Sequence, residues 1–185
     1  MASETVKALD GVDLEITQGE RIILLGPSGS GKTTLLNCLS ALDSPTAGTY
    51  SFSGNQVPKD DSEAMTSFRR ENIGYVFQFF NLLQDLTVLE NILLIQELSG
   101  GRDESRARNL LSLVGLEKET DRFPAEISGG QQQRVAIARS LAKKPRLLLG
   151  DELTGNLDST TSSSVMEVLV RACESEGITC VFVTH

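Results

Sequence analysis

The chain of 185 residues carries 17 basic and 25 acidic residues, a formal net charge of −8, and 39% hydrophobic content, the proportions of one ordinary globular domain. That acidic balance argues against nucleic acid as the main partner, because such binding draws on dense Lys/Arg contacts to phosphates. The longest greasy run, Leu86 to Ile95, is interrupted by Glu90 and Asn91 and falls well short of the roughly 20 apolar residues of a membrane span; Met1-Ala2-Ser3-Glu4 lacks the pattern of a signal peptide, so a cytosolic chain is expected.

Taken in chain order, Leu9 to Ile16 alternates apolar and acidic residues as a half-exposed strand does, and Gln18-Gly19-Glu20 turns into a second strand, Arg21 to Leu25. Lys32 to Leu42 reads as a helix, with leucines at 35, 36 and 39. Ser44-Pro45-Thr46-Ala47-Gly48 breaks it, and a strand is expected over Thr49 to Phe52. Ile73 to Phe77 is a buried-strand pattern that ends at Gln78. From about Val88 to Gly115 the periodicity is helical, with Asp103 to Val114 mixing charge and leucine at amphipathic spacing, which predicts a small helical insert. A Ser-Gly-Gly turn at Ser128 opens a further helix. Arg146 to Leu149 and Thr179 to Val183 are continuous apolar runs, as in parallel strands buried on both faces, and Ser159 to Ser175 links them as a helix. Cys38, Cys173 and Cys180 lie in apolar or helical contexts without metal-ligand spacing and read as small core residues of a reduced compartment.

Between the strand at Arg21 and the helix at Lys32 stands Gly26-Pro27-Ser28-Gly29-Ser30-Gly31-Lys32-Thr33. Its GxxxxGK[ST] spacing in that strand-loop-helix context marks a phosphate-binding loop rather than a turn that merely caps a helix. Backbone N–H groups would turn inward around phosphate oxygens, Lys32 would reach the β- and γ-phosphates of a nucleoside triphosphate, Thr33 would bring its hydroxyl to Mg²⁺, and Thr34 would approach the α-phosphate. The N-terminus of the helix that starts at Ser128-Gly129-Gly130-Gln131 is a second phosphate receptor. One polypeptide thus shows two phosphate grips. Asp151 and Glu152 follow the apolar run at its carboxyl end, where ligands bind in parallel sheets. Because adjacent strand residues point opposite ways, one carboxylate, Asp151, is expected to serve Mg²⁺ and the other, Glu152, to act as general base; an ordinary acidic turn is the plain alternative.

The whole set resembles the ATPase subunit of ATP-binding-cassette transporters over essentially the full chain. Gly26 to Thr33 matches the Walker A loop, Gln78 the Q-loop glutamine, Ile127-Ser128-Gly129-Gly130-Gln131 the signature, Asp151 and Glu152 the end of Walker B, Asn156-Leu157-Asp158 the D-loop, and His185 the switch histidine. The resemblance implies an α/β P-loop NTPase fold, mainly a parallel core sheet flanked by helices, with an N-terminal antiparallel β part and a small helical subdomain. The expected division is a core over about 1–83 and 145–185 and a helical subdomain over about 84–144. It also implies ATP and Mg²⁺ as ligands, with Gln78 at the metal, Glu152, Gln78 and His185 in catalysis, and Asp158 at the nucleotide site. A second copy would pack head to tail, each ATP lying between one copy's Walker A and the other's signature, so the two grips belong to two sites. The stretches Tyr75 to Leu83, Leu86 to Asn91, Ser128 to Arg139 and Thr154 to Asp158 are similar to the branch of lipoprotein-releasing, macrolide-exporting and cell-division ATPases. The implied partner is a membrane permease whose coupling helix docks beside Gln78 and the helical insert, placing the chain on the inner face of the membrane.

Four departures stand out. The family's adenine-stacking aromatic has no counterpart in Met1 to Val6, and the family continues beyond the switch histidine, which implies a chain shortened at both ends that binds Mg-ATP weakly and turns over slowly. Leu153 stands where the family usually has Pro, and Gly150 where it usually has a bulkier residue. Competing expectations are a module that transmits a mechanical signal without solute transport, a P-loop kinase for a small metabolite, which would leave Ser128 to Gln131 without a use, and an inactive fragment.

Overall fold

The computed structural model describes residues 7–184. Its centre is a four-stranded sheet of β1 (Arg21–Leu25), β4 (Ile73–Val76), β5 (Leu147–Asp151) and β6 (Thr179–Thr184), in the order β1-β6-β5-β4 and parallel throughout. The two central strands are the continuous apolar runs of the sequence, and both of their faces are covered. On one face, Leu147, Leu149, Val181 and Val183 pack with Leu36 and Leu39 of α1 (Lys32–Leu39). On the other, Leu148, Cys180 and Phe182 join the larger core formed with α5 (Gly129–Leu141) and α6 (Ser159–Glu176).

A two-stranded antiparallel hairpin, β2 (Ser51–Phe52) with β3 (Asn55–Gln56), lies apart from this sheet. Its Phe52 and Tyr50 meet Phe68 edge-on, at centroid distances of 5.4 and 6.3 Å. Phe68 belongs to α2 (Ser62–Asn72), which is capped by the Asp61 carboxylate accepting from the Glu63 and Ala64 N–H groups. The helical insert comprises α3 (Val88–Leu98) and α4 (Glu104–Leu113), which share the larger core with α5.

Several expectations are corrected. Leu9 to Ile16 forms no strand: Val12 and Leu14 are 52% and 45% exposed, and only Ile16 packs on the sheet. Alternation makes a strand only where a neighbouring strand completes the ladder. Helix α1 stops at Leu39 rather than Leu42, because Ala41 turns left-handed at φ 53° and the Asn37 carbonyl accepts from both Leu42 and Asp43. Cys173 and Cys180 are core residues as expected, whereas Cys38 is only half-buried.

Candidate functional site

All four parallel strands end on one edge of the sheet, and the motif residues collect there. The phosphate loop leaves β1 after Leu25 and enters α1 at Gly31, whose φ of 89° places it in the left-handed region. The N-terminus of α1 has no side-chain cap. The other five α-helices of the described residues are capped by Asp61, Thr87, Asp103, Ser128 and Asp158. The first-turn N–H groups of α1 therefore have no side-chain acceptor competing for them, which suits an anion. Lys32 Nζ donates to the carbonyls of Gly26 and Pro27, at 2.7 and 2.8 Å, so its ammonium spans the loop. Thr33 is exposed and Thr34 half-buried in the first turn of the helix.

At the end of β5, Asp151 pairs with Val183 and falls in step with Leu147 and Leu149, the residues packed on the α1 face. It lies near Tyr75, whose hydroxyl is pushed up to about 12, chiefly by burial and further by the Asp151 charge. Glu152 departs from the expected alternation, because the strand has already ended. It sits in a left-handed turn at φ 46°, its N–H donating to the Val183 carbonyl and its carbonyl accepting from Gly155.

The signature segment opens α5 through a capping box. Gln131 N–H donates to Ser128 Oγ and Ser128 N–H donates to Gln131 Oε1, which leaves the first-turn N–H groups of Gly129 and Gly130 outside the box. Phe80 lies over Gly129, and Thr161 of α6 crowds Gly130. Farther along α5, Arg139 donates to the carbonyls of Phe80 and Asn81, at 2.9 and 2.6 Å, and so ties the segment after Gln78 to this helix. The Gln78 carbonyl accepts from Asn156 Nδ2 at 3.2 Å. Asp158 caps α6, accepting from the Thr160 and Thr161 N–H groups; hydrogen bonding from Thr161, first by its side chain, holds the carboxyl below the usual range. The structure thus brings Gln78, the strand-end turn, Asn156 and the signature helix into one connected region, while Lys32 and Ser128 each bond within their own segments. His185 lies outside the described residues.

Some contributors were not singled out from sequence. Asn91, noted there only as an interruption of an apolar run, is 1% exposed; it accepts from Leu83 N–H and donates to the carbonyls of Leu83, Leu86 and Thr87. Gln133 shares a helical face with buried Gly130 and Ile137, and that spacing was a usable signal. Beside Gln78 runs a groove of about 250 Å³, walled by Tyr75 and Phe77, whose rings stack at 4.3 Å, and rimmed by Arg69, Arg139 and Lys143. Burial, with Arg70 and Arg69 adding to it, pushes the Lys143 ammonium down to about 8.

A profile of the family described as "ABC transporter" matches residues 9–155, most of the chain. The chain belongs to the ABC transporter family. It is 48% identical over 183 residues to the lipoprotein-releasing system ATP-binding protein LolD of Geobacter metallireducens, a match covering 97% of this chain and 81% of that relative. It is 45% identical to the macrolide export ATP-binding/permease protein MacB of Syntrophobacter fumaroxidans, spanning about a quarter (26%) of that protein's length. Among solved structures, the dimeric post-hydrolysis state of the ATP-binding cassette MJ0796 bound to ADP and Pi aligns over all of this chain and 83% of its own, with 42% identity and a TM-score of 0.86. This ABC domain is therefore an ATP-binding ATPase cassette, with the parallel sheet, flanking helices and separate antiparallel pair expected of it. Membership removes the metabolite-kinase reading. No helix among the described residues is long and apolar enough to cross a membrane.

Proposed function

We propose that this cassette is the motor of a membrane permease for export or lipoprotein release, seated on the inner face of the membrane and working as a head-to-tail dimer. The observation that carries the site is the uncapped N-terminus of α1 behind the phosphate loop, at the same sheet edge as Asp151. Lys32 exchanges the Gly26 and Pro27 carbonyls for the β- and γ-phosphates of ATP, with the N–H groups of Gly26 and of residues 28–34 around them. Glu152 accepts the proton of the attacking water on its carboxylate, and Gln78 orients that water. His185 donates to the γ-phosphate. From the second copy, Ser128, Gly129, Gly130 and Gln131 present the first turn of α5 to the same phosphate, and Asp158 lies at the junction.

Mg²⁺ fits the donors present. The Thr33 hydroxyl, the Asp151 carboxylate and the Gln78 amide oxygen are hard oxygen ligands, and Mg²⁺ is ordinarily held by one or two carboxylates with phosphates and waters completing its shell. When bound, it would neutralise charge on the transferring phosphoryl group. Within the described residues the nucleotide core runs to about residue 83 and resumes at about 145, the helical subdomain spans about 84–144, and the groove between Phe77 and Lys143 receives the permease's coupling helix.

Replacing Lys32 with Ala tests the site. A charge-assisted contact of this kind contributes about 2 kcal/mol, so Mg-ATP affinity measured by calorimetry is expected to fall about thirtyfold. Undiminished binding by Lys32→Ala would contradict the assignment.

A further inference from the structure

The two departures at Gly150 and Leu153 meet in the structure. A Cβ built on Gly150 would stand 2.8 Å from both terminal carbons of Leu153 and 2.9 Å from Phe182 Cδ1, inside van der Waals contact. The Leu153 side chain, only 5% exposed, thus fills the space that a side chain at 150 would take, and each residue presupposes the other. Between them stands Glu152, in its left-handed turn.

The backbone of the same turn is held from the other side. Gln133, fully buried in α5, donates Nε2 to the Leu153 carbonyl at 2.8 Å. Its Oε1 is buried without a hydrogen-bond partner. The orientation is fixed chemically, since only the amide NH₂ can donate to a carbonyl. An orphaned buried acceptor destabilises a fold, and a methionine would fill the same volume without one. What the amide supplies in return is a single bond from the signature helix to the residue that follows Glu152.

We infer that Gln133 is a positioning residue of the ATPase reaction: together with the Leu153 side chain seated against Gly150, it clamps the turn that aims Glu152. The inference rests on the role proposed above for Glu152. It gives that role a mechanical link to α5, whose first turn would face the other copy's ATP. A shift of α5 would be passed through Gln133 to the Leu153 carbonyl and so to the proton-accepting carboxylate. The clamp touches neither the phosphate loop nor Thr33, so it bears on turnover and not on ATP affinity.

The test compares steady-state ATP hydrolysis and Mg-ATP binding for Gln133→Met, Gly150→Ala, Leu153→Ala, the Gly150→Ala/Leu153→Ala pair and Glu152→Gln, each assayed below its own unfolding temperature. Gln133→Met and Gly150→Ala are each expected to lower kcat about tenfold with ATP affinity held within about twofold. Leu153→Ala alone empties the seat and is expected to lower kcat as well, whereas in the pair the methyl added at 150 takes up part of the space Leu153 leaves, so the pair is expected to turn over faster than either single variant, a coupling that general destabilisation would not give. Unchanged kcat in both Gln133→Met and Gly150→Ala, with hydrolysis abolished in Glu152→Gln, would overturn the clamp alone. Hydrolysis that survives in Glu152→Gln would overturn the role of Glu152 and the clamp with it.

Discussion

At the scale of single residues, local roles and site roles coincide in this domain. Ser128 and Gln131 are the expected phosphate-facing residues, and they are also the capping box that starts α5. Asp158 likewise starts α6. Alanine at any of them would disturb a helix as well as a site, so these positions separate the two roles poorly. Lys143 separates them better, because it stands in the groove beside Phe77 and away from the phosphate loop. The folded chain releases the Lys143 proton near pH 8, whereas the ordinary value is 10.5. Between those values the unfolded chain binds more protons, so the lysine's contribution to stability rises with pH across that window and is least favourable below it. Lys143→Met is accordingly expected to gain stability at pH 7 relative to the unaltered chain, and the gain should shrink as pH rises from about 8 to 10.5; urea unfolding at a series of pH values measures it.

At the scale of elements, Asn91 binds the loop after the Gln78 segment to the first turn of α3, with four hydrogen bonds to backbone groups of residues 83 to 87. Asn91→Leu keeps the branched four-atom shape, with somewhat more bulk, but strips partners from buried groups, and is expected to cost about 3 kcal/mol in chemical denaturation. A loss below about 0.5 kcal/mol would show that the loop holds itself. The same residue shows where sequence reading stops. The strands β5 and β6 were legible because burial on both faces leaves an unbroken apolar run, and α6 because its period is clear. Helix α2 leaves no apolar pattern of that strength, because none of its residues is buried; its signal lies in the Asp61 cap instead. Leu9 to Ile16 carries the alternation of a strand without forming one, because alternation is local, whereas the strand that would pair with it is not. The pattern puts Glu152 on a strand, because nothing in it marks that the ladder stops one residue earlier, at Asp151.

For the whole molecule, the order of motifs already implied the fold and the chemistry, while the contacts that couple those motifs came only with the structure. Arg139 to Phe80, Asn156 to Gln78 and Gln133 to Leu153 each join segments distant in sequence, and each ends on a backbone carbonyl that carries no sequence signature. Arg106 adds a fourth link, from α4 to the carbonyls of Leu141 and Ala142 and to Glu176 at the end of α6, in an ion pair of 2.7 Å with side chains 15% and 23% exposed. These links join the helical insert, the signature helix and the strand-end turn. Movement of the signature helix against ATP in a second copy would therefore reach the hydrolytic residues through several routes. The two phosphate grips of one chain act on different nucleotides in this account, and association is part of the active site. Sedimentation of Glu152→Gln with and without Mg-ATP tests that claim most directly. The account predicts a dimer that forms only when Mg-ATP is present, whereas a chain that stays monomeric with Mg-ATP saturating its phosphate loop would contradict it.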